Sequence, residues 1–271
     1  MKDDACISFL QWALPYLHMR WSGFRKVRGQ VCKRLARRLD ELQQRDLKSY
    51  SKHLQDNPLE WHILDSLCRI TISRFYRDQG IYDALDSQVF PKLIALARRQ
   101  NDKILSSWSI GSASGEEPYS LSILWELSGS KRHGTDLRIL ATEVEQSMIN
   151  RARLACYPAS SVRELPATMK NRALDRRDDL FCLKERFKKR VEFLQQDIRY
   201  GQPDATFHLI LCRNLVFTYY SLELQKEIAQ QIVKRLKPGG CLVIGTHENL
   251  PGSLPGMVPW LPGGKISRKT G

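Results

Sequence analysis

No apolar run of membrane-spanning length is present. The longest uncharged stretch near the N-terminus, Ala5 to Met19, is short and is interrupted by Pro15 and His18. Asp3 and Asp4 precede it where a secretory leader carries positive charge, and no small-x-small cleavage site follows, so a soluble, cytoplasmic chain is expected. No C-x-x-C pair occurs among the seven cysteines (Cys6, Cys32, Cys68, Cys156, Cys182, Cys212, Cys241). An odd, widely spaced set reads as reduced thiols rather than as a disulfide framework. Cys212 and Cys241 lie in apolar runs and read as small core residues. The six histidines form no H-x-x-x-H and no His/Cys cluster, so no metal is expected. G-K-[ST] is missing as well, which argues against a nucleoside triphosphate. Internal repeats are lacking.

Acidic residues are missing from one region in particular. Between Ala5 and Leu39 there are none, against eight basic residues: Arg20, Arg25, Lys26, Arg28, Lys33, Arg34, Arg37 and Arg38. Between Lys170 and Arg190 nine basic residues face four acidic ones. These windows contribute +8 and +5 to a formal net charge of +14. Patches of this kind attract polyanions (nucleic acid, an anionic membrane, an acidic protein surface), although a solvated helix face also fits a charge run. With 42% hydrophobic and 9% aromatic residues the chain has the material for a sizeable core. At roughly 150 residues per domain, 271 residues correspond to two domains, or to one large domain with an attachment.

The first hundred residues read as helical. Val31, Leu35, Leu39 and Leu42 share one helix face, with Lys33, Arg34, Arg37 and Arg38 largely off it. Asn57-Pro58 marks a turn before a helix carrying Trp61, Leu64 and Leu67, and an amphipathic segment runs through Val89 to Leu96. From about residue 104 strands and helices alternate. Strands are predicted at Ile104 to Ile110, Leu137 to Ala141, Val191 to Leu194, Phe207 to Cys212 and Cys241 to Gly245. The intervening helices open at Glu116-Glu117-Pro118, follow Glu143 to about Ala155, and run from Ser221 to Leu236. Lys237-Pro-Gly-Gly240 is predicted as a turn, and the Pro- and Gly-rich last twenty residues as one edge strand with a loose tail. Strands separated by helices imply β-α-β units and a mainly parallel sheet.

In such a sheet the ligand sits at the carboxyl ends of the strands, near the switch in strand order. Gly111-Ser-Ala-Ser-Gly115, Glu143 and Asp197 fall at successive strand ends. The glycine loop admits close backbone approach, Glu143 can accept from two ribose hydroxyls, and Asp197 can accept from an adenine amino group. Each acid taken singly also fits a helix N-cap. Together they point to an adenosine ligand without phosphates.

Trp108-Ser-Ile-Gly-Ser-Ala-Ser-Gly-Glu-Glu-Pro-Tyr-Ser120 resembles the cofactor loop of the CheR-type chemotaxis protein-glutamate O-methyltransferases. Arg20-x-x-Gly-Phe24 with Lys33-Arg-Leu-Ala-Arg-Arg-Leu39, Ser73-Arg-Phe-Tyr-Arg77, Leu211-Cys-Arg-Asn214, Leu236-Lys-Pro-Gly-Gly240 and Glu248-Asn249 extend the likeness over nearly the whole chain. The fold it implies is α/β: a Rossmann-like S-adenosylmethionine-dependent methyltransferase sheet with an N-terminal all-helical domain and a small β-subdomain insertion. The expected domains are 1–68, helical and receptor-docking, and 69–271, cofactor-binding, with the β-subdomain at about 165–195. The implied cofactor is S-adenosyl-L-methionine, and the implied partner is an acidic, helical, chemoreceptor-like protein on Lys33, Arg34, Arg37 and Arg38, met by a monomer. Nucleic acid is the less favoured polyanion, since neither basic patch shows the interleaved aromatics of a stacking platform and no N-P-P-Y loop occurs.

Carried over by the same likeness, Thr71, Ser73, Arg77, Gly111, Glu117, Glu143, Asp197, Ile198, Arg213 and Asn214 would hold the cofactor, and Arg77 and Tyr219 would serve the reaction. Glu116 is the alternative to Glu117 beside the methionine amino group. Departures from the family pattern are plain: Thr71 and Ser73 stand where Asn and Thr are usual, Glu143 where Asp is usual, and Thr218 where a tyrosine faces the substrate. Tyr219 then substitutes through a one-residue shift, or that contact is lost. Asp175-Arg-Arg-Asp-Asp179 replaces the usual Gly-containing turn of the β-subdomain. Alternatives from other classes are an RNA or small-molecule methyltransferase and a non-catalytic cofactor-binding signalling protein.

Overall fold

A computed structural model describes residues 3–127 and 134–270. Its contacts divide the chain into two compact units: Met1–Ile70 with Thr218–Gln225, and Thr71–Phe217 with Lys226–Gly271. Among the described residues no helix is long and apolar enough to cross a membrane.

The first unit is helical, with its main helices at Asp3–Ala13, Arg28–Glu41, Leu47–Asp56 and Glu60–Cys68. Val31, Leu35 and Leu39 are buried, as the spacing predicts, whereas Leu42 lies just past the end of the helix and is half-buried. Asp46 opens the third of these helices with a reciprocal capping box to Ser49, which satisfies amide groups that a helix start otherwise leaves unbonded. The Arg20-x-x-Gly-Phe24 element grips the segment from Thr218 onward. Arg20 Nε donates to the Thr218 carbonyl at 3.1 Å, the Arg20 amide donates to the Tyr219 carbonyl at 2.8 Å, and Met19 bridges Tyr220. A Cβ on Gly23 would stand 2.2 Å from the Thr218 oxygen, so only glycine admits this approach.

The second unit contains a seven-stranded sheet of β1 (Ile104–Ile110), β2 (Asp136–Glu143), β6 (Val191–Gln195), β7 (Phe207–Cys212), β8 (Leu236–Ile244), β9 (Met257–Pro259) and β10 (Ile266–Lys269). A second sheet of three strands holds β3 (Cys156–Pro158), β4 (Leu174–Arg177) and β5 (Leu180–Leu183). The large sheet runs β6-β2-β1-β7-β8-β10-β9. Its first five strands are parallel, and β10 is antiparallel to both neighbours. This is the Rossmann-like α/β arrangement, with the order reversing between β1 and β7. β7, at the centre, is a largely apolar run because both of its faces are covered, and every one of its residues is buried.

Three expectations are corrected. Lys237-Pro-Gly-Gly240 lies inside β8, where the register against β7 shifts between Phe207 and Leu209, so the glycines accommodate an irregular strand rather than end a helix–strand turn. The C-terminal segment supplies two strands, and β10 is interior, because β9 covers its outer edge. The cysteines are not all thiols. Cys6 is bonded to Cys32 and Cys156 to Cys182, while Cys68, Cys212 and Cys241 are free and buried. Both bonds close a 26-residue separation. Spacing alone did not reveal the partners, because they meet only through tertiary structure: Cys156 and Cys182 are directly opposite across β3 and β5.

At the amino ends of the parallel strands His208 is 1% exposed and is held through both ring nitrogens, with the Ser106 hydroxyl also 3.0 Å from Nδ1. The Ser106 amide donates to Nδ1 at 3.1 Å, which leaves the proton on Nε2 for Asp102 Oδ2 at 3.1 Å. Burial, and secondarily Lys237, pushes the imidazole below its ordinary value, although Asp102 opposes the shift.

Two outcomes follow. Thiol titration of protein purified without reductant, in denaturant, is expected to find three reactive thiols, and seven after reduction. A histidine whose folded pKa is depressed contributes stability that is present above its unfolded value of about 6.5 and is lost as pH falls toward its lower folded value. Thermal melts of wild type and H208Q are therefore expected to differ by about 1 kcal/mol at pH 7.5, with the gap narrowing by pH 5. A gap independent of pH would contradict the neutral imidazole.

Candidate functional site

The parallel register brings the carboxyl ends of five strands level. Ile110 is opposite Thr142 and Cys212, Glu143 is opposite Gln195, and Cys212 is opposite Ile244. The residues that follow, Gly111, Val144, Gln196, Arg213 and Gly245, therefore border one crevice.

Gly111 turns the chain with φ +71°, and a Cβ there would meet Leu215 Cδ2 at 2.5 Å. Its amide and that of Ser112 donate to the Thr142 carbonyl at 2.8 and 3.0 Å, which ties the loop to the end of β2. Glu143 is 7% exposed. Its Oε2 accepts the Ala113 amide at 2.8 Å, and its Oε1 accepts the amides of Val144 and Glu145 at 2.8 and 3.0 Å. Burial raises the carboxyl above its usual range, and these backbone amides oppose the rise. Oε2, with one protein donor in this set, keeps capacity for a ligand hydroxyl.

Arg213 joins the other wall. Its side chain is 2% exposed. Nη1 donates to Glu117 Oε2 at 3.1 Å, and Nη2 donates to Asp78 Oδ2 at 2.8 Å and to the Arg77 carbonyl at 2.7 Å. Ser109 Oγ donates to the other oxygen of Glu117 at 2.8 Å. Burial pushes the Glu117 carboxyl up, with Arg213 pulling it back. For Arg213 burial works against the charge, yet Tyr82, Glu117 and Asp78 together leave its pKa above the ordinary value. Glu116 is buried among different partners, accepting from Ser114 Oγ at 3.0 Å on each oxygen, so of the two adjacent acids it is Glu117 that joins Arg213. The Asn214 amide donates to Glu248 Oε2 at 2.8 Å, and the Gly245 amide donates to the same oxygen at 2.7 Å.

Arg77 is half-buried, and its guanidinium makes no ion pair among the described residues, whereas its carbonyl is held by Arg213. Thr71 and Ser73 are half-buried on the same segment. Asp197 does not stand open. Arg199 forks onto its carboxylate through Nε at 3.0 and 3.1 Å and through Nη2 at 2.7 Å. Ile198 beside it is 5% exposed and supplies an apolar surface. Tyr219 falls in the helical unit, where its ring packs on Phe24 at 5.0 Å between centroids.

Several participants carried no signal that marked them in advance. Asp78, directly after Arg77, and Arg199, two residues beyond Asp197, were close enough to predicted residues to be suspected. Tyr82 and Ser109 became visible only through their contacts.

An adenosine cofactor joined to an amino acid fits the donor set. Ser112 Oγ, Gln196 Oε1 and Arg213 Nε are buried polar atoms without a protein partner among the described residues, and they flank the glycine turn, the acid-bearing strand ends and Glu117. Unpaired buried polar atoms are rare, and three bordering one crevice mark a place built to hold polar ligand atoms. Among the described residues no group of three or more His, Cys, Asp or Glu could hold a metal ion.

Residues 71–262 match the family described as CheR methyltransferase, SAM binding domain. The chemotaxis protein methyltransferase of Listeria monocytogenes serovar 1/2a is 32% identical over 201 residues, which is 74% of this chain and 74% of that one. Chemotaxis protein methyltransferase 2 of Pseudomonas aeruginosa is 30% identical over 232 residues, 81% of this chain and 78% of that one. The chemotaxis protein methyltransferase of Borreliella burgdorferi is 32% identical over 183 residues, 66% and 64%. The chain belongs to the CheR methyltransferase family, and its second unit carries that family's S-adenosylmethionine-binding domain.

Proposed function

We propose that this protein methylates glutamate side chains of a chemoreceptor-like helical protein, forming methyl esters in chemotaxis-type signalling, and that it works as a cytoplasmic monomer. The observation that carries this reading is the division of labour between two arginines. Arg213 is committed to Glu117, Asp78 and a backbone carbonyl, whereas the guanidinium of Arg77, next in chain to Asp78, makes no ion pair among the described residues.

A free glutamate side chain has a pKa of about 4.3, so at neutral pH it is already ionised and needs no general base. The protein has to orient it and exclude water. Arg77 bonds one carboxylate oxygen and leaves the other directed at the methyl group, a task suited to a planar, permanently charged donor. When bound, S-adenosylmethionine supplies a methyl group already activated by its sulfonium. Thr71, Ser73, Arg77 and Glu117 would hold its methionine part, with Glu117 facing the ammonium. Glu143 would take the ribose, Asp197 and Ile198 the adenine, and Gly111, Arg213 and Asn214 the floor of the pocket. Tyr219 is assigned to the substrate through the family likeness, as the tyrosine one residue beyond Thr218.

The basic helix Arg28–Glu41 supports docking with two of its four candidate residues. Arg34 Nη1 donates to the Leu67 carbonyl at 3.0 Å and to that of Arg69. Arg38 forks onto Glu60 at 2.9 and 2.8 Å and reaches Glu41 at 2.9 Å. Both cations hold the helical unit together. Lys33 and Arg37 are exposed, four residues apart on one face, and available to an acidic partner.

Incubation with methyl-labelled cofactor and a receptor cytoplasmic domain is expected to yield a base-labile ester, and base-stable label would exclude glutamate. R77K is expected to lower kcat at least tenfold and to weaken cofactor binding by a smaller factor, because an ammonium keeps the charge without the fork. The pair K33E/R37E is expected to raise the receptor KM and flatten its salt dependence while leaving the Kd for S-adenosylhomocysteine unchanged.

A further inference from the structure

Tyr157 belongs to the small sheet, yet its contacts are with both walls of the crevice. It is the middle residue of β3 and is 1% exposed. Its hydroxyl donates to the Ser114 carbonyl at 2.7 Å, inside the Gly111–Gly115 turn. Its ring meets that of Phe75 edge to face, with centroids 4.8 Å apart, and Phe75 is two residues from both Ser73 and Arg77. The chain after β3 reinforces the second contact: the Phe75 amide donates to the Ser161 carbonyl at 2.9 Å, and Arg74 pairs with Glu164 at 2.6 Å. On its other side, Tyr157 follows Cys156, whose bond to Cys182 pins β3 to β5.

We propose that Tyr157 is a positioning residue for the transfer reaction, setting the cofactor turn through its hydroxyl and the Arg77 segment through its ring. The two functions are chemically separable. The hydroxyl supplies a hydrogen bond to a carbonyl of a residue that is 3% exposed, and without it that oxygen is left buried beside a turn whose next residue, Gly115, has φ +91°. The ring supplies an edge-to-face contact that defines the position of Phe75 and hence the direction in which Arg77 leaves the segment. The inference rests on reading Gly111–Gly115 as the cofactor turn.

The test compares Y157F and Y157L with wild type by calorimetry with S-adenosylhomocysteine, steady-state kinetics on a receptor domain, thermal melting, and hydrogen exchange of residues 111–117 with and without ligand. Y157F keeps the ring and is the variant expected to fold normally. Its Kd is expected to rise about fivefold, the equivalent of one hydrogen bond, with kcat at saturating cofactor within twofold. Y157L is expected to lose kcat as well. A Y157F protein with a lower melting temperature but an unchanged Kd would overturn the proposal, since that is the signature of a structural role alone. Wild-type protein that binds ligand without protection at residues 111–117 would overturn it differently, by removing the cofactor turn on which it depends.

Discussion

A guanidinium taken almost wholly out of water organises the ligand-binding half of this protein. Arg213 stands at the end of β7, at the reversal of strand order, where three other segments converge. Desolvating an ion costs several kcal/mol, so such a residue is tolerated only among partners that compensate it, here Glu117, Asp78, the Arg77 carbonyl and Tyr82. The dependence is mutual. The same charge draws Glu117 back toward its ionised form against the effect of burial, and the segment carrying Arg77 is held by its carbonyl and by its neighbour Asp78. Removing the cation would leave Glu117 and Asp78 without its counter-charge, a change of the kind that costs about 3–5 kcal/mol.

The arrangement also assigns electrostatic roles. Acids inside the crevice are matched by Arg213 or by backbone amides: Glu117 by the former, Glu143 by three of the latter, Glu248 by the amides of Asn214 and Gly245. Asp197 is matched by Arg199. Arg77 is the contrast, a half-buried cation without an ion-pair partner among the described residues. The proposed role of Arg77 toward an incoming carboxylate rests on that contrast. The same logic separates the basic residues of the Arg28–Glu41 helix. Those facing neighbouring helices close carbonyl ends and bind Glu60, while Lys33 and Arg37 face solvent.

The two halves of the site were legible to different degrees. Backbone-built features follow local rules, so the glycine turn, Glu143 at the end of β2 and the C-R-N end of β7 could be found from strand patterning together with the family likeness. Side-chain partnerships could not. Nothing in the sequence distinguishes Arg34 and Arg38, which brace the helical unit, from Lys33 and Arg37. The Asp197–Arg199 fork shows the limit well, since the strand pattern marks the acid but not the guanidinium that pairs with it. The cysteines failed for a related reason: 26 residues separate each bonded pair, and only helix packing or strand register brings them together.

The sequence by itself determined the strand–helix alternation, the order of the ligand-facing motifs and the concentration of charge, because periodicity, turn-forming residues and charge are properties of neighbouring positions. Tertiary structure alone decided which cations are committed and which are available, how Cys156 and Cys182 meet, that β10 lies inside the sheet, and that Tyr157 reaches from the small sheet to the Gly111–Gly115 turn. Each of these depends on residues distant in the chain being held within a few ångströms of one another, and only the packed fold supplies that.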